Sequence, residues 1–419
     1  MKRFLILLIL TRLSLAAATA ADQETVNIGL NYPQTGPYAT QGKFQRMAAE
    51  LAVAEINRKG GILNRTVRLL PMNTGSDPET AIRNVKQLID IDGCEMIFGG
   101  SSSAVAIASG KTAASRGKLF FGTLTYSNET TGRHANKYMF RECNSAWMSA
   151  KTLSAYLNNE YKNKKFFYIS ANYTWGRTTE DSLRKFTNTT DRGRHKGTFV
   201  PFPGATISDF RKALILASAF EPDVLVLVLF GNDMVKALTL AKTLKLKDKM
   251  VIVVPNITLG MASDAGPEVM EGIVGTVPWC WQVPFLKTFE KGERFVNTFS
   301  GKYNSYPSSS AASAYTIVHQ YKSAVERART FKLKPVVKAL EGHSFTSLKD
   351  TQVWREFDHQ CVQTVYVVRC KAREEVSKDK FKQDFFEIIS SLPGNDSVRT
   401  RSEWLRQRKK YGQPLELQW

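Results

Sequence analysis

One feature restricts the fold more than any other. Short apolar runs alternate with amphipathic stretches over residues 26–121, and the alternation then starts again over 145–254. In the first block Val26, Ile28 and Leu30 alternate as in a strand. Phe44, Met47, Leu51 and Ala54 then return at helical spacing until Gly60-Gly61. A second strand is expected over 66–72. Asp77-Pro78-Glu79 opens a helix, with Asp as cap, Pro at the first helical position and an acid in the first turn. Ile82, Val85, Leu88 and Ile89 form its buried face. A strand at 96–98, a helix at 103–115 and a strand at 119–121 complete the block. The second block reads as a helix over 145–161 burying Trp147, Leu153 and Leu157, a strand at 166–170 and a helix at 178–186. A strand at 198–202 and a helix at 209–217 follow. Residues 224–229 (VLVLVL) read as a strand buried on both faces, before a helix at 233–244 and a strand at 250–254. Such alternation implies an α/β protein with two parallel central sheets and right-handed crossovers, that is, two Rossmann-like lobes. Further pieces follow from about residue 275: a strand at 275–277, helices at 285–303, 311–328 and 334–340, and a strand at 364–370. No low-complexity linker separates any of them.

The first residues have a different character. Lys2 and Arg3 precede the apolar run FLILLIL, and Ala18-Thr19-Ala20 forms an A-x-A cleavage site, the pattern of a secretory signal over 1–21. The run is too short to span a bilayer. The expectation is an exported, periplasmic protein. Its formal charge is +20, three units of which (Lys2, Arg3, Arg12) lie in the signal. The basic residues are scattered, without a finger, an RNP-like pattern or a basic arm, so nucleic acid is not expected as a partner. Cys94, Cys143, Cys280, Cys361 and Cys370 form no C-x-x-C pair. If one strand carries both Cys361 and Cys370, they lie roughly 30 Å apart and cannot bond.

The stretch MIFGGSSSAVAIASG, residues 96–110, ends a buried strand on two glycines and three serines and then opens a helix. Ligands of open parallel sheets bind beyond the carboxyl ends of strands. Glycines there let backbone approach closely, and the free N–H groups of a first helical turn attract an anion. The alternative is that the serines only cap the helix. Neither the dinucleotide nor the P-loop fingerprint is present. His134, His195, His319, His343 and His359 show no metal-binding spacing, and no G-x-S-x-G elbow exists. No metal, cofactor or enzymatic activity is expected. His319 reads as a hydrogen-bonded core residue and Trp279-Cys280-Trp281 as packing. The basic tail 399–411 reads as a solvated helix on the second lobe.

Several segments occur in a characteristic order: TGPYATQG (35–42), AVAEINRKGGIL (52–63), the Asp77-Pro78 helix start, GGSSSAVA, ANYTWG (171–176) and AYTIVHQYKSAVERA (314–328). Together they resemble the type I periplasmic substrate-binding proteins of branched-chain amino acid and amide ABC transporters, the Leu/Ile/Val-binding family. The resemblance implies lobes of 22–141 with 277–352 and of 142–276 with 353–419, joined by a three-segment hinge. It also implies a small ligand trapped between them, a monomer, and a membrane permease as partner. Ser102, with Ser103 beside it, falls where the family holds the ligand carboxylate. Leu124 falls at a backbone-carbonyl contact and Tyr126 where threonine is common, with Thr125 between them as a one-residue offset. Trp175 and Phe230 match aromatic positions that close over the ligand. Asn256 falls where amino-acid binders place a glutamate for the ammonium, and Gln41 where an aromatic wall is common. Burying an ammonium without a carboxylate is costly. These departures therefore favour a neutral amide, or a carboxylate with an apolar or aromatic body, over a zwitterion. Asp233, read as the N-cap of its helix, is the other acid available. The competing expectation is a ligand sensor on the same fold that signals to a partner protein.

Overall fold

Strands whose residues are apolar on both faces need cover on both sides, and the intervening amphipathic segments supply it as helices. The structure, a computed structural model, describes residues 24–419; the expected signal lies outside the described residues. The first sheet contains β1 (Thr25–Tyr32), β2 (Thr66–Asn73), β3 (Met96–Gly99), β4 (Leu119–Gly122) and β5 (Met139–Arg141). Its order is β2-β1-β3-β4-β5, parallel throughout. The second sheet begins with β6 (Phe166–Ala171), β7 (Lys196–Val200), β8 (Val224–Val228), β9 (Val251–Val254) and β10 (Val274–Val277). Three short strands, β11 (Ser344–Phe345), β12 (Gln352–Trp354) and β13 (Cys361–Val362), form a small antiparallel sheet of their own. The chain then returns to the second sheet as β14 (Val365–Cys370) and β15 (Phe386–Leu392), both antiparallel to their neighbours. That sheet runs β15-β14-β10-β9-β8-β6-β7.

Three crossings join the sheets: after β5, after β10, and between β12 and β14. An isolated parallel bridge pairs Arg141 with Gln360 and ties the first crossing to the third. Trp279 packs at the second crossing, where its indole Nε1 donates to the Leu348 carbonyl at 3.2 Å. Five cysteines are free and buried, with Cys361 and Cys370 on separate strands.

Some details differ from the sequence reading. The stretch expected as one helix over 285–303 is two, Val283–Lys287 and Glu290–Tyr303, because Thr288 caps the first in a left-handed conformation, φ 55°. Trp147 is half-buried, with the Lys185 ammonium 4.1 Å from its ring. The C-terminal helix Arg401–Lys410 is docked rather than solvated. Trp404 is 1 % exposed and donates to the Thr131 carbonyl, and Arg408 donates to the carbonyl of Gly132. Among the described residues no helix is long and apolar enough to cross a membrane.

Candidate ligand cleft

Strand order reverses between β1 and β3 in the first sheet and between β6 and β8 in the second. The crevice outside the carboxyl ends of strands at such a reversal is the natural ligand site of an open α/β sheet. All four strands deliver candidate residues to that edge. Beyond β1 the chain reaches Tyr38 and Gln41, beyond β3 the serine turn, beyond β6 Trp175 and beyond β8 Phe230.

The serine turn is built for close approach. Gly99 adopts φ 129°, and a Cβ there would lie 2.3 Å from the Asn31 carbonyl oxygen. Its three hydroxyls have separate fates. Ser101 accepts from Gln45 Nε2 at 2.7 Å, and Ser103 accepts from the Ser127 N–H at 3.0 Å. Ser102 occupies the N-cap of the helix Ser103–Ala114, with φ −121°, yet makes no capping hydrogen bond. The capping explanation for Ser102 therefore fails. Among the described residues the first-turn N–H groups of Ser103, Ala104 and Val105 have no acceptor. A hydroxyl and free amides at the positive end of a helix form an anion pole.

The same strand ends carry a wall of rings contributed by both lobes. Phe230 meets Tyr38, Tyr126 and Trp175 edge-on at centroid separations of 5.5, 5.8 and 5.9 Å. Tyr173 stacks on Phe202 at 4.0 Å, and its hydroxyl lies 3.3 Å from that of Tyr38. Gln41 Nε2 donates to Thr258 Oγ1 at 3.3 Å, and the Asn232 N–H donates to the Pro37 carbonyl at 3.2 Å. These contacts close the lobes on one another. Burial pushes both the Tyr38 and the Tyr173 hydroxyl well above the usual tyrosine range.

Within this region Trp175 Nε1 and Asn256 Oδ1 are buried without a hydrogen bond, and the Tyr126 and Ser309 hydroxyls have only each other. An orphaned buried polar atom costs about 1–3 kcal/mol, so each is an opening for a polar ligand atom. Asn256 spends its amide nitrogen on Ser149 Oγ at 2.8 Å. Leu124 is buried, its N–H donating to Gly100 O at 3.3 Å. Thr125 lies inside the first lobe: its hydroxyl pairs with Thr130 at 2.7 Å and its carbonyl accepts from Arg141 at 3.0 Å. Tyr38, Tyr173, Phe202 and Ser309 are additions to the residues singled out in the sequence. The segments TGPYATQG and ANYTWG contain Tyr38 and Tyr173; nothing local marks Phe202 or Ser309.

Asp233 is not the N-cap of its helix. Gly231 is, and Asp233 sits in the first turn, 7 % exposed. Burial raises its carboxyl from 3.8 to about 6, against a small opposing pull from Lys236. The folded protein therefore holds a proton on Asp233 over a pH range in which the unfolded chain has released it. Stability falls as pH climbs from about 4 through 6. Asp233→Asn should be more stable than the parent at pH 7 by about 1–3 kcal/mol, with the gain vanishing near pH 3.5. Urea unfolding midpoints across that window measure it.

Fold and cleft together define the class: a two-lobed α/β protein with a cleft between its lobes. A family model described as Periplasmic binding protein matches residues 25–376, and the chain belongs to that family. It is 28% identical over 175 residues to the Leu/Ile/Val-binding protein BraC3 of Rhizobium johnstonii, 42% of this chain and 47% of that protein. The match thus spans about half the length of that relative. Among solved structures, a periplasmic binding protein from Burkholderia mallei superposes with a TM-score of 0.82 at 21% identity, covering 91% of this chain and 98% of that one. The LivJ substrate-binding protein of Streptococcus pneumoniae, in complex with isoleucine, gives 0.72 at 21% identity, with 87% and 99% covered. A solute-binding protein from Rhodopseudomonas palustris BisB5, in complex with 3,4-dihydroxybenzoic acid, gives 0.75 at 15% identity, with 90% and 98% covered.

Proposed function

We propose that this chain is an extracytoplasmic solute-binding protein that captures a small carboxylate, amide or amino-acid-like molecule between its lobes and delivers it to an ABC transporter permease. The lobes turn about the three crossings, and only the closed form completes the contacts of both sides, so ligand shifts the equilibrium toward closure. The observation that carries the reading is the unspent anion pole at Ser102, at the same strand ends as a two-lobed aromatic wall with orphaned polar atoms. Family membership supports it, and solved neighbours described as ABC-transporter or transporter binding proteins favour delivery to a permease over signalling.

The two ligands bound by the structural neighbours, isoleucine and 3,4-dihydroxybenzoic acid, bracket the chemistry. For this chain the amine-free end is favoured. Asn256 offers a buried neutral carbonyl where an ammonium would need a carboxylate, and a charge without its partner is expensive to bury. A carboxylate on the serine turn with an apolar or aromatic body against Trp175, Phe230 and Tyr126 satisfies the pole and the wall together.

Thermal-shift and calorimetric titration of the full chain with leucine, its amine-free analogue 4-methylpentanoate, and 4-hydroxybenzoate tests this. One of the amine-free acids should give the larger shift. A ligand at 100 times its Kd stabilises by about 2.7 kcal/mol. Tighter binding of leucine than of both acids would overturn the carboxylate reading, and Ser102→Ala without effect on any ligand would overturn the anion pole.

A further inference from the structure

We propose that a basin on the first lobe, apart from the cleft, is a second binding site for a small organic anion carrying two or more negative charges. The basin encloses about 1050 Å³ between the carboxyl end of the helix Ala39–Arg58, the helices Glu290–Tyr303 and Ser309–Ala328, and the loop 343–348. None of its lining residues belongs to the serine turn or the aromatic wall.

Its charge is lopsided. Arg58, Lys59, Lys291 and Arg294 line it, against one carboxylate, Glu55. Among the described residues the first three make no ion pair. Arg294 reaches Glu290 at 3.5 Å, with side chains 66% and 81% exposed, a pairing worth little in water. Glu55 is already occupied: it accepts from the Tyr315 hydroxyl and faces His319 Nε2 at 3.5 Å. Arg58 and Lys59 alone need no explanation, because cations complement the carboxyl end of a helix. Lys291 has no such reason. It lies in the first turn of Glu290–Tyr303, where the helix dipole opposes a cation. Four cations against one carboxylate give the hollow a positive potential that draws anions.

The floor is aromatic. His319, expected as a hydrogen-bonded core residue, is half-buried and turns its Nε2 toward Glu55 at 3.5 Å. Phe295, Tyr315 and His319 pack in sequence across that floor, tilted on one another at centroid separations of 4.4 Å each. Ser344, Thr346 and Ser347 line the opposite wall, where the Thr346 hydroxyl is paired with that of Thr351 at 3.1 Å. Cations at the rim, hydroxyls on one wall and rings beneath suit a phosphorylated or polycarboxylated molecule with a body of several atoms. The volume exceeds what a single inorganic phosphate fills.

Calorimetry on the full chain at low ionic strength, with pyrophosphate and with citrate as probes, tests the site. At least one probe should bind saturably, one per chain, and weaken as salt is raised. Arg58→Gln with Lys291→Gln, both exposed and therefore safe for folding, should reduce that affinity at least tenfold and leave the cleft ligand's affinity unchanged. His319→Ala should weaken the probe as well, whereas Lys291→Arg should restore it. Absence of saturable binding by both probes overturns the proposal, as does equal affinity in the double variant. Sedimentation with phosphatidylglycerol vesicles, without binding of either soluble probe, would also overturn it and mark the face as a membrane contact.

Discussion

A valine in place of Gly231 is expected to weaken ligand binding about a hundredfold while the protein still folds. Gly231 follows Phe230 and starts the helix Asn232–Thr243 with φ 61° and ψ −139°, a conformation left almost wholly to glycine. A Cβ built there would stand 2.5 Å from the Pro37 carbonyl oxygen and 2.6 Å from the Tyr38 ring. Both obstacles belong to the opposite lobe. Opening the cleft relieves the clash and leaves only backbone strain, on the order of 1–3 kcal/mol. Closing it restores the clash and pushes apart the hydrogen bond from the Asn232 N–H to Pro37. A penalty on the closed state of about 3 kcal/mol corresponds to two decades of affinity. Calorimetry with the preferred ligand reads the loss, and the radius of gyration in saturating ligand should remain at the open value. Gly204 provides the control: it too has positive φ, 95°, but a Cβ there meets nothing within 4 Å. A Gly204→Ala protein should bind normally. Unchanged affinity in Gly231→Val would mean that closure does not bring these segments together.

The fold was legible wherever one local rule decided it. Strands β3, β4, β6 and β8 are buried at every residue, so their apolar runs could hardly be anything else. Helix starts were legible from their caps: Asp77 accepts from the Thr80 N–H at 2.7 Å, and Ser145 accepts from that of Met148 at 3.1 Å. Segments decided by their neighbours were not legible. β15 is an edge strand in which only Phe386 is buried, and β5 is three residues long. Asp233 looked like a cap because Asp favours that place; the chain instead turns two residues earlier, at a glycine whose conformation the sequence does not announce. The helix carrying Trp175 begins at Thr174, four residues before the expected start. In the cleft, the serine turn, Trp175 and Phe230 were marked by the resemblance. The role of Tyr173, although it lies in ANYTWG, and that of Ser309 were not, because they depend on partners brought in from distant parts of the chain: the Tyr38–Tyr173 contact joins residues 135 apart in sequence. The same limit hid Lys349, since nothing in its neighbourhood identifies a lysine that folding will bury.

Lys349→Met is expected to destabilise the protein by about 3–5 kcal/mol, the usual cost of removing one member of a buried charged set. Lys349 is 2% exposed, and its ammonium donates to the carbonyls of Pro278 at 2.6 Å and Thr364 at 2.8 Å. The first carbonyl lies just past β10, the second just before β14. The lysine thus bonds the second crossing to the third. Glu142, just past β5 on the first crossing, lies within its electrostatic reach, and Glu142 Oε1 accepts from Gln352 Nε2 at 3.3 Å. Burial pulls the Lys349 ammonium down and pushes the Glu142 carboxyl up, with each charge partly offsetting the other's shift. Methionine keeps the apolar stem but strips two carbonyls of their donor and leaves Glu142 without its nearby cation. Glu142→Gln in the same chain removes the stranded charge and should return about 1–2 kcal/mol of the loss. Urea unfolding of the parent, the two single variants and the double variant measures the coupling. Strictly additive losses would show that the two charges act separately. A positive coupling would mean that one buried charge network holds all three crossings in register, which a hinge needs if its lobes are to open and close as rigid bodies.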